Sequence, residues 1–361
     1  MGFRCGIIGL PNVGKSTIFN ALSGAGAAMA NYPFCTIESN KGIVPVPDDR
    51  LVTIAELLHK DNPIPTRIEF IDVAGLVAGA SKGEGLGNKF LGHIRNVDAL
   101  VHVVRCFSND DVAHITGAVD PIRDIEIINT ELLLADIEIL ERALEKEQKL
   151  TRSGDKKAAA KAEAIMRWID HLNGGGTLRS LAMADEERVP ISEFGVITGK
   201  PAIYLANIDE DESSRSYSDI ISDYAAAQGS SSLYIIGKLE EEISELPASE
   251  KREYLAGMGL AESGLDRLIR TAYRLLDLIT YYTAATELQA WTLHAGTGAA
   301  KAAGNIHSDF ERGFIRAEVY RYDDLAAMGS EKAVKEHGLL RSEGKDYIVQ
   351  DGDIIKYLFN V

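Results

Sequence analysis

The stretch Gly9-Leu10-Pro11-Asn12-Val13-Gly14-Lys15-Ser16-Thr17 has the form G-x-x-x-x-G-K-[ST]. It follows the apolar run Cys5–Leu10 and opens onto helix-forming residues from Thr17 to Ser23. A strand, a glycine-rich turn and a helix in that order make a phosphate cradle. The glycines let the backbone curl so that its N–H groups face the phosphates, and the helix N-terminus adds its positive end. Residues 12–17 (Asn12, Val13, Gly14, Lys15, Ser16 and Thr17) are therefore the expected nucleotide contacts. Lys15 reaches the β and γ phosphates and Ser16 ligates Mg²⁺.

Outward from this motif, further apolar runs read as buried parallel strands: Ile68–Val73, Ala99–Val104, Ala202–Ala206 and Leu233–Ile236. Helical stretches such as Thr17–Ser23 and Leu86–Val97 alternate with them, which predicts a doubly wound α/β P-loop domain. Two more pieces fall at switch distances. Thr36, in the loop after the first helix, completes the Mg²⁺ shell and senses the γ-phosphate. Asp72-Val73-Ala74-Gly75 ends an apolar strand; Asp72 holds Mg²⁺ through water and the Gly75 N–H contacts the γ-phosphate.

The middle of the chain has no strand candidate from about Asp124 to Leu181. Leu132, Leu133, Ile137, Leu140 and Leu144 recur at helical spacing, then a turn at 151–155, then Ala162, Ile165, Met166 and Ile169 before Gly174-Gly175-Gly176. This predicts a helical hairpin, a short coiled coil. It carries Arg142, Lys146, Lys149, Lys156, Lys157 and Lys161, among other cations, a locally basic arm suited to RNA phosphates. From about Thr280, short alternating segments such as Phe314–Tyr320 and Tyr347–Val349 predict a small α+β module.

The purine site is expected at the end of the Ala202–Ala206 run, in Asn207-Ile208-Asp209-Glu210. Guanine-specific proteins carry N-K-x-D there, and the Asp accepts from guanine N1–H and the exocyclic amine. Asn207 is retained and pairs with purine N7 and the 6-substituent. Ile208 replaces the Lys, and Glu210, one methylene longer, replaces the Asp. Loss of the guanine pair favours ATP over GTP, with guanine binding through an adapted Asp209 or Glu210 as the alternative.

The net charge of −16 argues against a protein that coats duplex DNA by bulk charge. Three unpaired cysteines, the absence of a secretory signal and the absence of an apolar run of membrane-spanning length lead to the expectation of a cytoplasmic protein without membrane contact.

Read together, these motifs resemble the Obg-like ATPase (YchF) family of translation-factor-class P-loop NTPases. The resemblance extends through Gly79–Asn88, Val103–Phe107, the N-x-x-E base motif and C-terminal text such as Gly313–Ala317, Glu343–Tyr347 and Phe359-Asn360-Val361. It implies a G domain (residues 1–123 and 186–279) interrupted by a coiled-coil insertion (124–185). A C-terminal TGS domain of β-grasp shape (280–361) follows. It implies an ATPase more than a GTPase, association with ribosomes and translation, and protein partners through the TGS domain. Leu76 stands where many GTPases place a water-orienting Gln, so intrinsic turnover is expected to be slow. The resemblance makes His114 the candidate catalytic histidine, beside Thr36 and Gly75. Asn12 occupies the place where some P-loop proteins seat a K⁺ ion. The chain departs from the family in the purine-contact loop that the resemblance implies, Gly237-Lys238-Leu239-Glu240, where small residues are usual, at Leu288-Gln289, and at Ala300, where proline is common. A GTPase of the same architecture and a nucleotide-gated adaptor for a protein partner are the competing functions.

Overall fold

Buried apolar runs pair as parallel strands, as the sequence predicts. The structure is a computed structural model describing residues 2–27, 41–73, 86–108, 119–183, 191 and 193–360. Strands β1 (Phe3–Ile8), β2 (Lys41–Pro45), β3 (Arg67–Asp72), β4 (Ala99–Arg105), β5 (Ala202–Asn207) and β6 (Ser231–Ile235) form one sheet in the order β2-β3-β1-β4-β5-β6. β1 pairs parallel to β4, β4 to β5 and β5 to β6. Every residue of β4 and β5 is buried, so their sequences show no polar alternation. The consequence for titratable groups is plain at His102 on β4. It packs against Tyr204 (centroids 5.4 Å apart), and burial, aided by the Arg179 charge, holds its pKa down to about 3. Burial likewise pushes the Cys5 and Cys106 thiols up to about 12.

By its contacts the chain forms two compact units. The first comprises Met1–Val44 and Glu69–Leu268, and the second Pro45–Ile68 and Ile269–Val361. In the first, α1 (Lys15–Ala27) follows β1, and α3 (Leu86–Arg95) precedes β4; between them in sequence, α2 (Asp49–Leu58) belongs to the second unit. Helices α4 (Pro121–Arg152) and α5 (Lys156–Asn173) make the expected hairpin. Asp120 caps α4 by accepting from Arg123 N, with Pro121 in the first turn where its missing N–H costs nothing. Asp155 caps α5 by accepting from the Lys157 and Ala158 amides. The hairpin core joins Leu133, Leu140, Ile165, Trp168 and Leu172 to Leu178, Ile191 and Val196. Here the structure corrects the predicted stripe: Met166 is 44% exposed, whereas Trp168 is only 1% exposed. The hairpin root is tied down by Asp136, fully buried on α4. Its carboxylate accepts from Ile197 N (2.8 Å), Thr198 N (2.7 Å) and Thr198 Oγ1 (2.7 Å). On the basic arm, Arg142 pairs with Glu138 at 2.6 Å and Lys161 with Glu193 at 3.5 Å.

Helices α6 (Glu212–Ala227), α7 (Gly237–Glu245) and α8 (Ala248–Gly257) alternate with the later strands, and α9 (Gly264–Leu275) leads into the second unit. There β7 (Leu278–Thr283), β8 (Gln289–His294), β9 (Phe314–Arg321), β10 (Arg341–Glu343) and β11 (Asp353–Phe359) form a sheet in the order β10-β9-β11-β7-β8. Helix α10 (Ala299–Ile306) presents Ala299, Ala302 and Ala303 to Tyr281, Val319, Ile355 and Tyr357. The alanines allow close approach, and the Tyr281 hydroxyl donates to the Ala302 carbonyl at 2.9 Å. A second cluster joins Leu51 and Ile54 of α2 to Tyr282, Tyr320 and Ile354. Asp48 caps α2, accepts from the Tyr282 hydroxyl and pairs with Arg50, which also pairs with Asp351 at 2.7 Å. Tyr347–Val349, expected as a strand, forms only an isolated bridge from Ile348 to Gly298. Its backbone is engaged instead by the turn before α10, through Ala299 N to Tyr347 O and Val349 N to Thr297 O.

Candidate nucleotide site

Parallel pairing through β4 places the carboxyl ends of β1 and β5 on the same side of the sheet, where open α/β folds bind ligands. The loop from β1 to α1 needs its glycines. A Cβ on Gly9 would lie 2.7 Å from the Val103 carbonyl, and Gly14 has φ +88, a left-handed conformation. Asn12 is left-handed too, at φ +64, which its short polar side chain tolerates. Helix α1 begins at Lys15 with the Ile18 N to Gly14 O bond (3.0 Å), so its first-turn amides lack intrahelical acceptors. They form the anion-binding end of a cleft of about 960 Å³.

Lys15 and Asp72 are brought together. Lys15 Nζ donates to Asp72 Oδ1 at 2.7 Å and to the Val73 carbonyl at 2.7 Å. Ser16 presents an exposed hydroxyl in the same turn of α1. A serine hydroxyl and a carboxylate are hard oxygen donors of the kind Mg²⁺ takes alongside nucleotide phosphates and water, so the residues present fit that ion. Among the described residues no group of three His, Cys, Asp or Glu side chains could hold a metal ion. Thr36, Gly75 and His114 lie outside the described residues.

At the other end of the cleft, Asn207 closes β5 and is 4% exposed. Its Nδ2 donates to the Val13 carbonyl at 3.0 Å, and its Oδ1 accepts from Gly237 N at 3.0 Å. One amide group therefore joins the phosphate loop to the start of α7, leaving one Nδ2 proton for a ligand acceptor. Close approach explains Gly14 and Gly237: a Cβ on Gly14 would collide with Asn207 Nδ2, and one on Gly237 would lie 2.9 Å from Oδ1. Val13 and Ile208 turn their side chains inward, at 2% and 3% exposed; Ile208 joins the cluster of Val104, Tyr204 and Ile221. Of the two, Ile208 lines the cleft. Asp209 uses Oδ1 on the Asp211 amide (3.1 Å), while Glu210 is exposed on the cleft rim.

Three features of the site were not singled out from sequence. Phe107 lines the cleft, held by Arg105, whose guanidinium lies 4.6 Å from its ring and whose Nε donates to its carbonyl at 3.1 Å. Glu241 reaches the cleft wall from α7. Glu240 faces the opposite way, buried, accepting from Gly264 N at 2.6 Å and Leu265 N at 3.3 Å; burial raises its pKa. Helical phase separates the two glutamates, a signal available once α7 is placed.

With this geometry in hand, comparison with known proteins places the chain. Residues 4–140 match a family model described as "50S ribosome-binding GTPase". Residues 278–360 match the YchF GTPase C-terminal model, described as "Protein of unknown function (DUF933)". The chain is 52% identical over 363 residues to a Haemophilus ducreyi protein, and 50% over 366 residues to one from Bacillus subtilis, with each chain covered completely. Both are named "Ribosome-binding ATPase YchF". A solved Schizosaccharomyces pombe structure, described as the YchF GTPase, superposes with a TM-score of 0.88 at 35% identity. The alignment covers 99% of this chain and 98% of that one. Identity of this level over the full length, with the phosphate loop, the helical insertion and the C-terminal module in the same order, shows that the chain belongs to the YchF (Obg-like ATPase) family.

Proposed function

We propose that the chain is a Mg²⁺-dependent, ATP-binding and ATP-hydrolysing switch protein that works on the ribosome. The observation that carries the reading is the cleft itself. A phosphate loop with Lys15 stands at one end, and at the other an Asn207 site whose fourth position is Glu210 rather than Asp. The names of the curated relatives support ATP and the ribosome; the description of the fission-yeast structure names a GTPase, so the base is the point to test.

Residue by residue, Lys15 exchanges Asp72 and the Val73 carbonyl for the β and γ phosphates. Asp72, released, orients water beside the Ser16 hydroxyl, with Thr36 as the remaining oxygen donor. Ser16, Thr36 and, through water, Asp72 would hold Mg²⁺, which would supply neutralisation of phosphate charge. Gly75 N–H meets the γ-phosphate, which couples its presence to the segment that follows. Leu76 cannot orient water, so His114 takes that place, and turnover is slow without a partner. Asn12 is where a K⁺ ion would act on the phosphates. The basic hairpin meets rRNA phosphates, and the C-terminal module binds protein. A ribosome-binding role, named for the curated relatives, places the work of the protein in the cytoplasm.

Nucleotide-free protein titrated with fluorescent ATP and GTP analogues in Mg²⁺, against unlabelled competitors, tests the base. ATP binding tighter than GTP supports the reading, and tighter GTP overturns it in favour of a GTPase. Ribosome co-sedimentation with a non-hydrolysable ATP analogue against ADP tests the switch. Equal binding in both states leaves an adaptor in which hydrolysis is incidental.

A further inference from the structure

The second compact unit holds a pocket of its own, of about 380 Å³, where β9 ends and β11 begins. Its wall carries four charges, Arg50, Arg321, Asp323 and Asp351, which sum to zero. Two of them neutralise each other and are fixed in place. Arg50 donates to Asp351 at 2.7 Å and to the two oxygens of Asp48 at 2.9 and 3.1 Å, and Asp351 also accepts from Thr280 N at 2.8 Å. Gly352, in the same wall, is held through both backbone groups, by Thr280 O at 2.8 Å and Tyr322 N at 2.9 Å. The other two charges are exposed, and among the described residues neither the Arg321 nor the Asp323 side chain has a hydrogen bond or an ion pair. Asp353, the register partner of Arg321 on β11, is engaged elsewhere. Its carboxylate accepts from the Tyr347 hydroxyl at 2.7 Å and from Gln350 N at 2.9 Å, and lies 3.8 Å from Arg341.

A guanidinium and a carboxylate that share one concavity without pairing suit a ligand that carries the opposite pair. Arg321 offers parallel N–H donors to a carboxylate. Asp323 accepts from an ammonium. Gln350 lines the same wall, and its Nε2 donates to the Ile348 carbonyl at 2.8 Å, which leaves its Oε1 to accept a second ammonium proton. A ligand of one sign leaves part of the wall opposed: a phosphate meets Asp323 and Asp351, and a simple amine meets Arg50 and Arg321. An α-amino acid holds its carboxylate and its ammonium on one carbon. A pocket of this size admits one with a small side chain and a few waters. We propose that this pocket binds a free α-amino acid, with its carboxylate on Arg321 and its ammonium on Asp323 and Gln350. The site shares no residue with the nucleotide cleft and does not rest on the function proposed above.

The test is isothermal titration of the full-length protein with L-serine, with L-serinamide, which lacks the carboxylate, and with N-acetyl-L-serine, which lacks the ammonium. Serine should bind saturably at one site, and each blocked analogue at least about tenfold more weakly. Arg321→Met should erase the preference for serine over serinamide, and Asp323→Asn the preference for serine over N-acetylserine. Both residues are exposed, so each variant should keep the wild-type Tm without ligand. Absence of saturable serine binding, or equal binding of the three compounds, overturns the inference. Serine binding that both variants retain in full overturns it too, because the amino acid then sits elsewhere. Inorganic phosphate that displaces serine would reveal a general anion site and overturn it in the same way.

Discussion

Asn207 joins Val13 and Gly237 through opposite ends of one buried amide, at 3.0 Å each. The side chain therefore sets the width of the cleft before any ligand arrives. Asn207→Asp would place a carboxylate oxygen against the Val13 carbonyl. Losing the bond and repelling its acceptor should cost about 2–4 kcal/mol, or roughly 30- to 1000-fold in nucleotide affinity. Gly14→Ala should reach a similar loss by another route, since its Cβ collides with Asn207 and its φ is left-handed. Isothermal titration reads both. An Asn207→Asp protein that binds nucleotide like wild type would show that the clamp does not shape the cleft.

The Lys15–Asp72 pair predicts opposite effects with and without metal. Asp72→Asn weakens the hold on Lys15 and frees it for phosphates, so nucleotide affinity in EDTA should be unchanged or a few-fold tighter. With Mg²⁺ the same variant should need at least about tenfold more metal for half-saturation, because a water-orienting carboxylate is gone. Mg²⁺ titrations at fixed nucleotide give both numbers. Equal loss in EDTA and in Mg²⁺ would assign Asp72 a purely structural task.

Asp136 should control how firmly the hairpin is rooted. Asp136→Ala leaves the buried Ile197 and Thr198 amides without their acceptor, at about 1–3 kcal/mol for each. Hydrogen exchange should quicken at residues 197–198 and along the root of α4, with β1 and β4 protected as before. Uniform exchange across the sheet would instead mean global destabilisation.

His102 predicts a pH slope. Its folded pKa, near 3, lies below the ordinary value of 6.5, so the unfolded chain binds the proton more readily. Stability from this group is complete above pH 6.5 and is lost as pH falls toward 3. Between pH 6.5 and 5, a window above most carboxylates, the loss approaches about 2 kcal/mol. His102→Phe should flatten that slope in urea denaturation, whatever it does to stability at pH 8. A slope unchanged in the variant would place the titration elsewhere.

The parts of this architecture legible in the sequence are those written locally. The phosphate loop announces itself through strand, glycines and helix within a few residues, and β4 and β5 through mainly apolar runs. The hairpin followed from helical spacing, the turn at 151–155 and the glycines at 174–176, but its helical phase was off by enough to choose Met166 over Trp168. What escaped was non-local. Val13 and Asn207 are 194 positions apart, so nothing near either residue signals their bond. Asn207 could be read as a purine contact, but its two other tasks appear only when three loops meet. Asp136 looks like one more acid on a charged helix until the 196–199 turn folds over it. Thr36, Gly75 and His114 rest on spacing and resemblance, and lie outside the described residues.

The placement of Leu51 and Ile54 in the core of the second compact unit has a consequence for how this protein can be taken apart. The chain passes between the units three times, after Val44, Ile68 and Leu268. No single cut releases either one whole. A fragment starting at Ile269 would carry the sheet but lack two side chains packed against Tyr282 and Tyr320, and would present that gap to water. Recombination could not move the C-terminal sheet between proteins as a self-sufficient cassette, because part of its core is encoded inside the nucleotide-binding half.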